Sequence, residues 1–418
     1  MINKNLILLL FGKLVSLTGT LAFNFGLSIY VLETTGSTTL FASVLAFSIL
    51  PKIILTPFFG VMSDWCNRKK IIVSLDFLSA FLVIMTGILY SYQGFLGMPI
   101  IYALTMMLSL LIAFYNPTVA AVIPSIVKKE QLLKVNGIDS YISSIAALSA
   151  PLLATIILNQ YGILALIVIN GISFFLSGVS ELFMDIPTDN VNKKVCGINW
   201  LSKFKTDFME GIRYVFNKRM LLNIFILIFI ANLTFNPMFS VVIPFVNVKL
   251  LGVPKNMYGM FQTVLVTSMF LAPFLTKVLK SRLEEVNILK IAILIFPIIF
   301  VFVGLLGQLF LVSVLDMKQA YLLILMLYYI ISVLTTVFNI IVNTMIQKNT
   351  PNDLMGRVNA VSYTLSFAAM PIGQLFFGTM LDRQSLLIVT IVIAIILGAT
   401  GILFNVLTQN AKDVQLDE

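Results

Sequence analysis

The chain has 418 residues, of which 59% are hydrophobic and only 11% charged, and its mean hydropathy is +1.02. Soluble domains sit near about 45–50% apolar, so this composition excludes an ordinary soluble fold. The net charge of +9 does not point to nucleic acid, because the basic residues gather in alternate connections between apolar runs, and with no His and two Cys the chain cannot assemble a zinc site.

Twelve apolar runs approach or exceed the roughly 20 residues that a helix needs to cross a hydrocarbon core. They fall at 6–32, 40–62, 71–92, 99–123, 138–158 and 163–183, then at 221–247, 257–280, 287–310, 320–346, 358–380 and 384–407. All are too long for strands, and they lack the alternation of an outer-membrane barrel. The expectation is an all-α membrane protein with 12 transmembrane helices. No cleavable signal peptide is expected, since the first run is too long and no small-residue cleavage site follows it.

Span 1 carries Ser16, Thr20, Asn24 and Ser28 at four-residue steps, one polar stripe on a helix. Span 2 places Lys52 near mid-membrane on one face with Ser48 and Thr56, flanked by Pro51 and Pro57. A Lys at that depth costs about 2.5–3.5 kcal/mol on insertion scales, so it is read as facing a cavity and attracting an anionic group. The bland alternative is a snorkelling side chain or a static pair. Between spans 2 and 3 lies the loop Gly60-x-x-x-Asp64-x-x-x-Arg68-Lys69-Lys70, dense in charge for so apolar a chain. Asp76 in span 3 and Asp139 in span 5 sit about a turn inside the membrane boundary and are the candidate proton carriers, with a structural ion pair to loop lysines as the competing reading. Span 4 adds Thr105, Ser109 and Asn116.

A polar interval from Asp185 to Met220 divides the spans six and six. Within it Trp200, Leu201, Phe204, Phe208, Ile212 and Val215 recur at helical spacing among basic residues, a pattern suited to an amphipathic helix on an anionic membrane surface. Span 7 carries Asn232, Asn236 and Ser240, and span 10 carries Ser332, Thr336, Asn339, Asn343 and Gln347. Spans 9 and 12 are almost purely aliphatic and aromatic. The expected organisation is a six-helix bundle over 1–184, a linker over 185–220, a second bundle over 221–410 and a tail over 411–418.

The halves are related. Leu21-Ala22-Phe23-Asn24 with Ser28 parallels Leu233-Thr234-Phe235-Asn236 with Ser240. Val135-Asn136-Gly137-Ile138 parallels Val358-Asn359-Ala360-Val361, and Tyr115-Asn116 parallels Phe338-Asn339. Three matches in the same order mark an internal repeat. Polar residues concentrate in the first helix of each group of three, as four three-helix units around a wet cavity require. Asn24, Ser28, Lys52, Asn116, Asn236, Asn339 and Asn343 are therefore the candidate substrate pathway, the alternative being that such amides merely join neighbouring helices. Lys and Arg fall mostly in the connections on the side of the termini, which places both termini in the cytoplasm of a multi-pass protein of a bacterial plasma membrane. Cys66 and Cys196 then lie on the reducing side, where no disulfide is expected.

Two six-helix halves, a central loop and the Gly60 to Lys70 motif resemble the major facilitator superfamily. The resemblance implies two six-helix bundles related by a pseudo-twofold axis, and a motif that locks the cytoplasmic side. It implies that Gly60 packs on span 11, that Asp64 caps that span's start near Asn359, and that Arg68, Lys69 and Lys70 complete the charge network. The branch it most resembles is that of drug exporters, including macrolide efflux proteins. Leu50-Pro51 with Pro57, Arg68-Lys69-Lys70-Ile71 with Asp76, Asn116-Pro117 with Pro124, Asp207-x-x-Glu210-Gly211-x-Arg213-Tyr214 and Pro351-x-x-x-x-Gly356-Arg357-Val358 carry that likeness. Two departures stand out: Leu108 occupies the region where proton-coupled exporters often place an Arg, and mid-span 1 lacks a carboxylate.

The function expected is secondary active export of a small amphipathic compound by alternating access, with protons as the coupling ion implied by the resemblance. The alternative on the same fold is a lysophospholipid or anionic-amphiphile flippase. A channel or membrane-embedded enzyme is disfavoured, since the sequence offers no filter loop, metal cluster or nucleophile–base pair. The partners expected are the lipid bilayer, a small amphipathic substrate and protons, with no cofactor, no metal, no nucleic acid and a monomeric state.

Overall fold

The computed structural model describes residues 4–65, 67–127, 131–185, 200–351 and 354–416. Among these the regular structure is helical. Spans 1 to 4 form α1 (Lys4–Thr35), α2 (Thr38–Trp65), α3 (Arg68–Gln93) and α4 (Met98–Ile126). Spans 5 and 6 are both contained in α5 (Leu132–Leu182), which breaks at Gly162, where φ is +73° and ψ −173°. That conformation is open to glycine and strained for other residues, so the two apolar runs double back there. The interval before span 7 contains α6 (Trp200–Asn217). The second half continues with α7 (Arg219–Pro237), α8 (Lys255–Lys280), α9 (Glu285–Leu311), α10 (Met317–Lys348), α11 (Met355–Arg383) and α12 (Leu386–Leu416). Eleven of these helices are long and apolar enough to cross a membrane, and the one containing both spans 5 and 6 is 46 residues long in its apolar part, enough for two crossings.

Most helices overrun the predicted apolar runs by a few residues at each end. Near the membrane surface polar residues still take helical caps: Asn67 accepts from the Lys70 amide at 3.1 Å, and Asp316 with Gln319 forms a capping box. Span 7 departs from a plain helix. Beyond Pro237 the chain winds into π-helical turns at Met238–Val242 and Phe245–Leu250, the second following Pro244. Proline has no N–H for the carbonyl four residues earlier, so the ladder is loosened at both points. The carbonyl affected by Pro237 is that of Leu233, and Gly373 of α11 lies so close to it and to the Pro237 ring that a Cβ would not fit.

The chain forms two compact units. The first contains Met1–Thr35, Val44–Ile198 and Pro254–Thr263. Its central pairing joins α1 to the later part of α5. Gly12, Gly19 and Gly26, seven residues apart on α1, meet Ser177 with Ser180, Asn170 with Ser173, and Leu166, and none leaves space for a Cβ. Apolar burial cannot drive helices together in lipid, so such close backbone approach supplies the packing. The first turns of α8 belong to this unit too: Tyr258 stacks on Phe25 at 4.8 Å, Lys255 pairs with Glu33 at 2.9 Å, and Gly259 seats against Thr155.

The second unit contains Gly36–Ser43, Asn199–Val253 and Val264–Glu418. Phe235, Phe296, Phe300 and Phe338 form its aromatic centre. Helices α9 and α12 meet through Gly304 against Thr390 and Gly401 against Ile293. Helix α6 is held at the start of α11: Gly211 abuts the Arg357 backbone, Glu210 pairs with Arg357 at 2.8 Å, and the Tyr214 hydroxyl donates to the Asn349 carbonyl at 3.1 Å.

Candidate functional site, a buried acid pocket in the first unit

The glycine stripe of α1 brings its polar face against α3, α4 and α5. A cavity of about 130 Å³ opens there, lined by Lys13, Ser16, Thr20, Asp76, Tyr115 and Asn116 among others. Asp76 is buried, with 3% of its surface exposed, and packs against Gly178 beside Ser177. Glu181, near the end of α5, is wholly buried, and its Oε1 accepts a 2.7 Å hydrogen bond from the Tyr115 hydroxyl. The two carboxylates and the Tyr115 hydroxyl lie close enough to interact electrostatically. Asp76 Oδ2 and Glu181 Oε2 have no well-formed hydrogen bond among the described residues.

The ammonium that lines this cavity is committed elsewhere. Lys13 Nζ donates to Asp139 Oδ1 at 2.5 Å, an ion pair about a quarter exposed on each side. An unpaired buried charge costs several kcal/mol, so two buried carboxylates with no ion pair among the described residues form a site that favours taking up positive charge. A proton satisfies that need with no further ligands. No group of three or more metal-ligating residues forms among the described residues.

The predicted site residues fall as follows. Asp76 lines the acid pocket, and Asp139 pairs with Lys13 of α1; the side chains of Lys128, Lys129 and Lys134 lie outside the described residues. Asn24, Asn116, Asn339 and Asn343 have exposed side chains in helices that otherwise bury apolar groups, and Ser28 bonds its own helix at the Phe25 carbonyl. Lys52 is half-buried, and no ion pair or hydrogen bond is found for it among the described residues. Asn236 belongs to a second polar cluster: the Gln374 amide donates to Asn236 Oδ1 at 2.8 Å and to Ser240 Oγ at 3.3 Å. The surroundings of Gly60 and the side chain of Asp64 lie outside what is described; Arg68, Lys69 and Lys70 open α3, and Asn359 is half-buried near the start of α11.

Glu181, Lys13 and Gln374 escape the sequence reading. The first two are ionisable residues within predicted spans, a signal that identifies Asp76 and Lys52 and applies equally to them. Glu181 is easily taken for a boundary residue before the polar linker, and Lys13 for part of a basic N-terminal flank. Gln374 carries no such charge signal.

A multi-span helical protein with polar and ionisable groups gathered inside its bundles has the form of a membrane transporter. The chain belongs to the Major Facilitator Superfamily, whose sequence profile matches residues 9–374. Among curated relatives, the uncharacterized MFS-type transporter YkuC of Bacillus subtilis is 26% identical over 226 residues, covering 52% of this chain and 51% of its own. Macrolide efflux protein A of Streptococcus pyogenes is 26% identical over 176 residues, covering 42% and 43%. The chain thus spans about half the length of the curated relatives it matches, or less. Among solved structures, the nucleoside transporter NupG superposes with a TM-score of 0.76 at 11% identity, covering 96% of this chain and 98% of its own. An inward-facing bacterial homologue of the iron transporter ferroportin gives 0.72 at 16% identity, with the same coverage. These structural likenesses establish the fold, and the fold and family are those of multi-pass membrane transporters.

Proposed function

We propose that the protein is a secondary active exporter of a small amphipathic compound, coupled to protons at the Asp76–Glu181 pocket and working by alternating access in the bacterial plasma membrane. The observation that carries this reading is a pair of buried carboxylates, Asp76 lining the cavity and Glu181 bonded to its Tyr115, each with an oxygen that has no hydrogen-bond partner among the described residues. Loading a proton removes a charge the surrounding helices cannot pair, and releasing it restores that charge, so occupancy of the pocket biases how its helices pack. The polar groups Asn24, Ser28 and Asn116 of the first half and Asn236, Asn339 and Asn343 of the second are the proposed substrate pathway, since amides facing lipid are costly. The likeness to macrolide efflux protein A makes macrolides the first substrate class to test. Gly60, Asp64, the basic residues 68–70 and Asn359 are the proposed cytoplasmic gate.

A second reading, transport of a lysophospholipid or another anionic amphiphile, is favoured by Lys52, whose ammonium has no carboxylate partner among the described residues. Uptake of labelled macrolide and labelled lysophospholipid into proteoliposomes, with and without an imposed pH gradient, separates the two. Gradient-dependent macrolide movement that is lost in Asp76→Asn supports the first. Gradient-independent lysophospholipid movement, with no macrolide transport, overturns it in favour of the second.

A further inference from the structure

The spacing Gly60-x-x-x-Asp64 at the end of α2 recurs as Gly378-x-x-x-Asp382 at the end of α11. Residues four apart share one face of a helix, so Gly378 and Asp382 act on the same neighbour. That neighbour is the first turn of α2. Asp382 Oδ1 accepts from the Thr38 amide and Oδ2 from the Thr39 amide, both at 2.8 Å. The Ser37 hydroxyl donates to Oδ2 at 2.8 Å. One turn earlier on α11, Gly378 lies against Ala42 and the Thr38 carbonyl, too close to admit a Cβ. Lys249, at the end of the second π-helical segment after α7, completes the arrangement: its Nζ donates to the Gly36 carbonyl at 2.7 Å and to Asp382 Oδ1 at 3.2 Å. All these residues lie in the second compact unit.

The chemistry is that of a helix cap supplied from another helix. The first amides of α2 have no partners within their own helix, and the positive end of the helix dipole faces the carboxylate. Amide–carboxylate hydrogen bonds are among the stronger contacts a membrane surface offers, and the ammonium of Lys249 neutralises what charge remains. Yet the whole assembly is polar and part-exposed, with Asp382 at 21% and Lys249 at 39%, so water can replace each bond once the helices part. Contacts that are strong when made and cheap to hydrate when broken suit a reversible clasp.

We propose that Gly378, Asp382 and Lys249 form a second latch on α2, at the end opposite the Gly60 to Lys70 loop, and that it opens and closes during the transport cycle. On the charge distribution this end of α2 faces outward, so the latch guards the outer side.

Thr38 provides the reporter. It is fully buried, its hydroxyl has no hydrogen-bond partner among the described residues, and only its backbone serves the latch. Thr38→Cys in a background carrying Cys66→Ser and Cys196→Ser therefore reports exposure of this turn to a membrane-impermeant thiol reagent in intact cells. With Asp382 present, labelling should be slow. Asp382→Asn should raise the rate on the order of tenfold, as expected for loss of one hydrogen bond to a charged group. Gly378→Val, which leaves the carboxylate in place and blocks the approach, should do the same. Labelling that does not rise in either variant, or that rises only in step with loss of folded protein on size-exclusion chromatography, overturns the latch.

Discussion

Replacing Glu181 with Gln should make the protein more stable and less able to use a proton gradient. Glu181 is wholly buried, with Oε1 taking the Tyr115 hydroxyl, and neither its Oε2 nor Asp76 Oδ2 has a hydrogen-bond partner among the described residues. An unsatisfied buried polar atom costs about 1–3 kcal/mol, and an unpaired buried charge costs more. Gln keeps an acceptor for Tyr115, removes the charge, and presents an amide donor toward Asp76. The expected gain is about 1–3 kcal/mol, which for a protein of this size raises the melting temperature by a few degrees. Thermal unfolding of purified protein in detergent measures that gain. Uptake in proteoliposomes should show gradient-driven accumulation reduced at least about tenfold while substrate counterflow, which needs no net proton movement, persists. If the variant is less stable than the parent and accumulates substrate normally, the pocket is a structural network and the coupling argument fails.

Lys13→Met strips Asp139 of the ammonium 2.5 Å away. Because both groups are about a quarter exposed, the loss should be about 1–3 kcal/mol, less than for a fully buried pair. Adding Asp139→Asn should recover most of it; a double variant no more stable than the single one in thermal unfolding would refute the pairing. Lys52→Gln should weaken binding of a lysophospholipid or similar anionic amphiphile by about tenfold, close to 1.4 kcal/mol, with a neutral ligand little affected. Equal binding of both ligands by parent and variant removes Lys52 from the pathway.

The membrane spans were legible because lipid imposes a length and a polarity that few residues can escape. The break between spans 5 and 6 was legible for the same reason, as two apolar runs separated near Gly162. The winding of span 7 was not. Pro237 stands out in the sequence, but whether proline kinks, breaks or widens a helix depends on its neighbours, and Gly373 against the Leu233 carbonyl belongs to another helix. Within the acid pocket Asp76 announced itself by its cost in a membrane. Its relation to Glu181, more than a hundred positions away, depends on α3 packing directly on α5, with Gly178 against Asp76 and Gly171 against Ile84, a pairing invisible until the helices are packed. The Gly378–Asp382 spacing was readable in the same way as that of Gly60–Asp64, but it lacks the run of three basic residues that draws attention to the earlier loop.

The two halves have kept the same neutral stripe and diverged in charge. Asn24 and Ser28 of span 1 have counterparts in Asn236 and Ser240 of span 7, and the second pair is hydrogen-bonded to Gln374. The carboxylates within the predicted spans all fall in the first half, at Asp76, Asp139 and Glu181, and so do the two lysines Lys13 and Lys52 that lie furthest from span ends. In the predicted spans of the second half only Lys277, Lys280 and Lys290 occur, all near span ends. Neutral amides can bind a substrate in either half at modest cost, since each can be satisfied locally. Unpaired carboxylates are expensive, and a transporter that works by alternating access needs that expense at a single place, where loading and unloading change the balance between conformations. On the proposed coupling, recognition belongs to both halves and energy coupling to the first, which would account for a repeat that is clear in the amide positions and absent from the acidic ones.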